Sequence, residues 1–450
     1  MPPNPARRRM TSRAIAGAML AAAALIAWLA IVFTLAARLL QAVIAISLVY
    51  VGYLALRGFQ AMRDARRSAR RGDTERSGGR PWVTLLIPAR NEAAVIGEGI
   101  ATLVAQDYAG AEGPRFDVLV VDDGSGDATG DLARRAGAGL GDRFRVIRRE
   151  PGVGPHTKAA VLNFAHAACR GEVIGVLDAD ARVAPTFLAG AMGAWAADPA
   201  AAAIQVQRRA GTHGARWLAA AQDEELLMDM TSQCGRLATD GTAELRGNGM
   251  FVRRAVLERI GGWNDGALTE DLDLSTRLVT AGERIALAPQ VEVHEEAVLT
   301  SAALWRQRMR WAEGSLRRLL ELGPGMVGNR SLPLGRKLDF LAFAGEFVIP
   351  PIFVAAIAGS LVTIVLPRPA DWTVPASLFV GYGVGTFLLA IGGLAAHGVR
   401  GLELLGRATR GSLFLSHWLL VVPAALLRIA VAEPTTTFVQ TPRVVRRLDP

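Results

Sequence analysis

Long apolar runs near both ends of this 450-residue chain restrict its fold more than any other feature. Ala14 to Ala37 is almost uncharged, Leu39 to Leu56 is a second such run, and Arg38 lies between them. Each approaches the roughly 20 residues a helix needs to cross a bilayer. A cleaved signal peptide would have a shorter apolar core and no second run close behind. The runs read as a transmembrane hairpin, with Arg38 snorkelling at the far face. Arg7, Arg8, Arg9 and Arg13 precede it, and Arg57, Arg63, Arg66, Arg67, Arg70, Arg71 and Arg76 follow it. Both flanks are therefore expected in the cytoplasm.

Phe340 to Val365 and Ala376 to Ala396 form two further spans. Between them Leu366 to Val374 holds two prolines and few charges, as an outer loop would. Arg400, Arg407 and Arg410 then mark a return to the cytoplasm. Leu413 to Ala430, interrupted by Pro423, is a third candidate. If it crosses, the tail with Arg443, Arg446 and Arg447 ends outside. If it lies flat or re-enters, the tail stays inside, which is the expectation adopted. The formal net charge of +9 is thus accounted for by arginines beside the membrane. Nucleic acid is excluded as a partner, because these arginines lack an aromatic stacking platform and cluster beside apolar spans. Two cysteines, Cys169 and Cys234, make no disulfide framework and suit a reducing compartment.

The spans bracket a stretch with the composition of a soluble α/β domain. The expected division is 1–57 transmembrane hairpin, 58–80 basic linker, 81–297 catalytic domain, 298–336 amphipathic interface helices, 337–430 membrane segments and 431–450 basic tail. Val83 to Ile87 reads as a strand stopped by Pro88, with a helix beginning at Asn91 and Glu92 near its N-terminus. Asp117 to Val121 is a second strand and Phe144 to Ile147 a short third. Lys158 to Ala168 reads as a helix. Val173 to Leu177 is a strand that ends in Asp178-Ala179-Asp180. This alternation predicts a mostly parallel sheet with helices on both faces. A dinucleotide fold would carry a glycine-rich turn after its first strand, where this chain has Pro88-Ala89-Arg90-Asn91-Glu92.

The strand ends are acidic instead. Bare carboxylates repel phosphate, so they imply an intervening cation or hydrogen bonding to a base or ribose. Asp122 and Asp123 suit the second task, and Asp178 and Asp180 the first, provided a turn begins there to bring both to one ligand. Taken alone, each pair is also consistent with ordinary turn chemistry. Glu270, Asp271 and Asp273 lie where a helix with Leu272, Leu274 and Leu278 on one face would start. That placement suits a rigidly held carboxylate base, and equally a plain helix start. Leu304 to Leu320 reads as an amphipathic interface helix. His156 and His294 lack companions at zinc-ligand spacing.

From Val83 to Trp311 the chain resembles the inverting family 2 glycosyltransferases of GT-A fold. It is similar in particular to the membrane branch containing cellulose, chitin, hyaluronan and poly-N-acetylglucosamine synthases. The resemblance rests on Pro88-Ala89-Arg90-Asn91-Glu92, Val121-Asp122-Asp123-Gly124-Ser125, Lys158 with Asn163, Asp178-Ala179-Asp180, Thr269-Glu270-Asp271 and Gln307-Arg308-Met309-Arg310-Trp311, in that order. It implies Asp122, Asp123 and Lys158 at the donor, with Asp178 beside ribose and metal. It also implies Asp180 on Mg²⁺ or Mn²⁺, Asp271 as general base, and Glu270, Gln307, Arg308, Arg310 and Trp311 on the acceptor and diphosphate side. Thr441-Pro442-Arg443 resembles a family ending that stays inside. Gly247-Asn248-Gly249 departs from the commoner Asn-Gly-Thr or Ser-Gly pattern, in a segment the resemblance places near the acceptor.

The function implied is transfer of a hexose or N-acetylhexosamine from a UDP-sugar, with inversion to a β-linkage, at the bacterial inner membrane. A growing polysaccharide, with an export partner left open, is the expected acceptor. A membrane lipid such as diacylglycerol or ceramide is the alternative. A catalytically dead scaffold that binds nucleotide sugar would have lost its carboxylates, whereas Asp178, Asp180 and Asp271 are all present.

Overall fold

The computed structural model describes residues 5–70, 80–150, 152–211, 217–365 and 373–432. The expectations for Arg71, Arg76, the loop from Leu366 and the tail with Thr441, Pro442, Arg443, Arg446 and Arg447 lie outside the described residues. Helices α1 (Pro5–Val32) and α2 (Thr34–Arg70) form over the first two apolar runs. The break between them falls at Phe33, not at Arg38. The Phe33 amide still bonds the Leu29 carbonyl at 2.8 Å, and Arg38 bonds Gln41 at 3.1 Å inside α2. Leu35, Leu39, Val43, Ile46, Val49, Tyr53 and Leu56 are all exposed along one face of α2, a stripe suited to lipid.

Strands β1 (Val83–Ala89), β4 (Phe116–Asp122), β5 (Phe144–Arg148), β6 (Val173–Val176), β7 (Arg182–Val183), β8 (Ala201–Gly211), β9 (Met250–Arg253) and β10 (Arg284–Glu296) join one eight-stranded sheet, in the order β5-β4-β1-β6-β9-β8-β10-β7. A small hairpin, β2 (Ala109–Gly110) with β3 (Gly113–Pro114), stands apart. Four of the seven strand pairs are parallel, so the sheet is mixed and mostly parallel. Between the strands lie α3 (Ile96–Val104), α4 (Thr129–Gly137), α5 (Lys158–His166), α6 (Phe187–Ala197), α7 (Trp217–Leu237), α8 (Arg254–Arg259) and α9 (Glu270–Thr280). β4 is buried along its whole length, and β1 nearly so, because helices cover both faces. The chain leaves β1 toward β4 on one side and β6 on the other. The carboxyl ends of these strands thus flank a topological switch point, where ligands of such sheets bind.

The first expected helix start is corrected. α3 begins at Ile96, because Asn91 adopts a left-handed φ of 54° and spends its polar groups on the neighbouring turn. Its amide donates to Ser125 Oγ at 3.0 Å and its side-chain oxygen accepts from the Gly126 amide at 2.8 Å. A turn does begin after β6, closed by the Ala181 amide on the Asp178 carbonyl at 2.9 Å. The expected start at Lys158 is where α5 begins, capped by Thr157 on the Ala160 amide at 3.2 Å.

After the sheet come α10 (Ser301–Gly328), α11 (Leu334–Gly345), α12 (Ile349–Val365), α13 (Thr373–Ala396), α14 (Gly401–Leu415) and α15 (Trp418–Val431). Among the described residues, five helical stretches are long and apolar enough to cross a membrane: Met10–Val32, Thr34–Ala69, Leu334–Leu361, Ala376–Ala396 and Gly401–Val431. The last combines α14 and α15. Alone, α15 would extend about 21 Å, short of the roughly 30 Å hydrocarbon layer. Its Val421, Val422, Ala425, Leu426 and Ile429 pack with Ala16 of α1 and with Ala312 and Leu316 of α10.

The chain forms two compact units. One comprises the chain through Ala61, Leu227–Thr242 and the helices from Leu304 onward; the other comprises Met62–Leu226 and Ala243–Ala303. Within the membrane unit α2, α7 and α13 cross at backbone contact. A Cβ on Gly58 would overlap the Thr231 carbonyl, one on Gly235 the Leu54 carbonyl, and one on Gly393 the Thr231 hydroxyl. Gly381, Gly385 and Gly392 face Ile44, Leu48 and Ala55 in turn, so α13 runs parallel to α2. Both then descend toward their arginine-rich ends, in keeping with the expected topology. Gly235→Val should destabilise the protein by about 3 kcal/mol, because a carbonyl cannot move aside as a side chain can. Thermal unfolding in nanodiscs checks it; an unchanged midpoint would mean that the helices are not in close contact there.

Candidate active site

The acidic strand ends converge on built-in cations. At the end of β4, Asp122 is 1% exposed, accepting from the Ser125 amide at 2.9 Å and from Arg148 at 3.0 Å. Arg148 stands directly across the parallel ladder from it. Asp123 takes Arg149 Nε on one oxygen at 2.6 Å and His156 Nδ1 on the other at 3.2 Å, with Arg90 at 3.9 Å. The buried Arg149 also donates to the carbonyls of Val153 and Pro155, so one guanidinium fastens the loop before α5 against Asp123. Sequence reasoning missed Arg148 and Arg149. The available signal was a basic pair ending one strand at the level of an acidic pair ending its neighbour.

A second knot lies at the start of α5. Lys158 Nζ reaches Asp178 Oδ1 at 2.6 Å, the Gly247 carbonyl at 3.0 Å and Glu270 at 3.4 Å. Burial alone would lower the lysine pKa, but Asp178 and then Glu270 outweigh it and hold the ammonium well above its usual range. Asp178 is partly exposed. Asp180 is buried, with one oxygen accepting from the Glu296 amide at 3.0 Å. Beneath them Asn248, fully buried, accepts from the Asp178 amide at 3.2 Å and donates to Glu295 at 3.0 Å. Glu295 is held on both oxygens by Arg208, at 2.6 and 2.9 Å. This supporting layer was also invisible in the sequence, since its members are far apart in the chain.

Glu270 and Asp271 occupy the first turn of α9, behind the N-cap residue Thr269. Glu270 is buried and its carboxyl is pushed up to about 7, by burial first, against the pull of Lys158 and with Asp271 adding to the rise. Asp271 is also raised by burial, moderated by Lys158, by its bond from the Leu272 amide at 2.9 Å, and by Arg246 and Arg208. It remains partly exposed. Asn163 braces the loop leading there, bonding both the amide and carbonyl of Trp263, at 2.9 and 2.7 Å.

Gln307, Arg310 and Trp311 lie on α10 in the membrane unit, three and four residues apart, on one partly exposed helix face. Arg308, three residues before Trp311, is 1% exposed; it donates to Gln307 at 3.0 Å, and its guanidinium lies 4.0 Å from the Trp311 ring and 5.9 Å from that of Trp418. Its placement is therefore that of a packing cation joining α10 to α15. Among the described residues no three His, Cys, Asp or Glu side chains gather as a ready metal site. Asp178 and Asp180 are hard oxygen donors, and Asp178 already attracts one cation, the Lys158 ammonium, so the chemistry of the pair fits a divalent ion.

A folded-state pKa near 7 against an ordinary 4.5 has a definite sign for stability. The contribution of Glu270 is full below its unfolded pKa and is lost as pH rises through the folded value. Glu270→Gln does not titrate. The wild-type melting temperature, relative to this variant, should therefore fall between pH 5 and pH 8. A constant difference would show that Glu270 does not change protonation in that window.

A family model described as "Glycosyltransferase like family 2" matches residues 80–314, just over half the chain. The β-monoglucosyldiacylglycerol synthase of Synechocystis sp. is 32% identical over 369 residues, covering 80% of this chain and 74% of that protein. Its counterpart from Trichormus variabilis is 30% identical over 407 residues, covering 88% and 83%. Among solved structures, a mannosyltransferase from Pyrobaculum calidifontis in complex with GDP-Man and Mn²⁺ superposes with a TM-score of 0.54 at 21% identity, over 84% of this chain and 99% of that one. The last likeness bears on the fold, which is GT-A. The five apolar spans and the arginine flanks make this a multi-pass membrane protein whose catalytic domain faces the cytoplasm. With the matched residues running from the first strand through the Trp311 motif, the chain belongs to the family 2 glycosyltransferases.

Proposed function

We propose that the protein is an inverting UDP-sugar-dependent glycosyltransferase that moves one hexose onto the free hydroxyl of a membrane diacylglycerol. The observation that carries this is the similarity to β-monoglucosyldiacylglycerol synthases along 80% and 88% of the chain, membrane segments included. It favours the lipid acceptor over the growing polysaccharide. The Gln307, Arg310 and Trp311 face keeps polymer growth as the second reading, since polymerising synthases have a similar motif.

In the reaction the acceptor oxygen attacks the anomeric carbon, the bond from that carbon to UDP breaks, and the acceptor proton passes to Asp271. The rigid first turn of α9 and the partial exposure of Asp271 support its role as base. Lys158 compensates the charge of Asp178 and Glu270 and belongs to the donor side. Asp122 and Asp123, fixed by their arginines, frame the uridine end. Asp178 and Asp180 would hold Mg²⁺ or Mn²⁺, whose charge stabilises the departing diphosphate. Gln307, Arg310 and Trp311 serve the acceptor or diphosphate, and Arg308 supports Trp311.

The test is product analysis from purified protein in nanodiscs, with labelled UDP-hexoses and either diacylglycerol or an oligosaccharide as acceptor. A single-sugar lipid product is expected; a polymer would overturn the lipid reading. Asp271→Asn should lower transfer by about 10²–10⁴-fold, with UDP affinity by calorimetry close to wild type. Transfer at the wild-type rate would remove Asp271 as base and leave Glu270 as the next candidate. Excess chelator should abolish turnover and Mn²⁺ or Mg²⁺ restore it; full activity without retained metal would refute the metal role.

A further inference from the structure

Between the Lys158 knot and Asp271 runs Gly247-Asn248-Gly249, left-handed at both glycines with φ of 76° and 69°. The two glycines face different surroundings. A Cβ on Gly249 would press into the core, 2.8 Å from Val293. A Cβ on Gly247 would lie 3.1 Å from Oδ2 of Asp271 and 3.6 Å from the Lys158 ammonium. Asp271 Oδ1 accepts the Leu272 amide, so Oδ2 is the oxygen that Gly247 borders. The segment cannot easily swing aside. The Gly247 carbonyl is bonded to Lys158 at 3.0 Å, and Asn248 is tied to Asp178 and Glu295. Clearance beside Asp271 is therefore set by the missing side chain, not by loop movement.

We propose that Gly247 is a specificity-determining position for the acceptor: bare backbone there keeps open the approach of a carbon-borne hydroxyl to Asp271. The inference rests on the reading of Asp271 as base and of a lipid alcohol as acceptor. A lipid hydroxyl brings its carbon and that carbon's substituents past position 247, whereas water attacking the same donor brings none. A methyl group at 247 penalises the first more than the second.

The experiment measures sugar transfer to 1,2-dioleoylglycerol and UDP release without acceptor, in nanodiscs. The variants are Gly247→Ala and Gly247→Asn, the latter because asparagine tolerates left-handed backbone. The ratio of transfer to hydrolysis should fall by about tenfold or more, with acceptor KM rising more than donor KM. Gly249→Ala, a purely structural lesion, should lower both activities together. An unchanged ratio in the Gly247 variants overturns the proposal. If neither variant folds, the wild type decides. Open clearance lets it use the secondary hydroxyl of 1,3-dioleoylglycerol within about tenfold of the primary one, and complete rejection overturns the proposal. Should the wild type glycosylate only an oligosaccharide, the lipid reading fails, and the same ratio measured with that acceptor still judges Gly247.

Discussion

Crowding of carboxylates at one sheet edge is the constraint on which the catalytic unit depends. Asp122, Asp123, Asp178, Glu270 and Asp271 all lie there, most of them buried. Uncompensated, each buried charge would cost several kcal/mol. The protein answers with resident cations: Arg148 and Arg149 for the first pair, Lys158 for Asp178 and Glu270, and Arg208 close behind. Compensation is uneven. The first pair is sealed by one guanidinium for each carboxylate, whereas the second shares a single ammonium among several oxygens. The charge balance is least complete at Lys158.

Much of this was legible in the sequence, and the legible part is local. Apolar runs ending in acidic turns identify the parallel strands and the edge where the carboxylates gather, because strand periodicity and turn chemistry act over a few residues. What was hidden depends on distant residues meeting. Arg149 reads as one more arginine until the β4–β5 ladder, which ends at Asp122 opposite Arg148, brings it within 2.6 Å of Asp123 just beyond. Asn91 has good helix-start chemistry, yet its bonds to Ser125 and Gly126, across 34 and 35 residues, hold it left-handed and delay α3 to Ile96. Arg308 sits inside a charged motif, so exposure is the natural expectation. Its neighbour Trp311 and, far along the chain, Trp418 turn it into a buried packing group.

The acceptor question belongs to the membrane unit as much as to the base. A soluble sugar acceptor needs no apolar surroundings, whereas a diacylglycerol must be taken from the bilayer. The chain supplies five apolar spans and an exposed, partly aromatic face on α2. Family members differ in acceptor while sharing the GT-A sheet, so discrimination must come from positions bordering the shared machinery.

Helix α7 has a consequence for how the protein is made. Its second half, with Leu227–Thr242, belongs to the membrane unit, although the chain on either side belongs to the catalytic unit. β9, which lies between β6 and β8 at the middle of the sheet, is synthesised only after that excursion. On the ribosome the sheet therefore stays divided until the membrane-committed half of α7 has emerged. No single cut on each side can release the catalytic unit without Leu227–Thr242. Any continuous fragment from β1 to β10 carries the glycine-faced end of α7 with it, stripped of the helices that cover its backbone. Catalysis and membrane attachment are thus written into the order of the chain as one inheritance, to be kept or lost together.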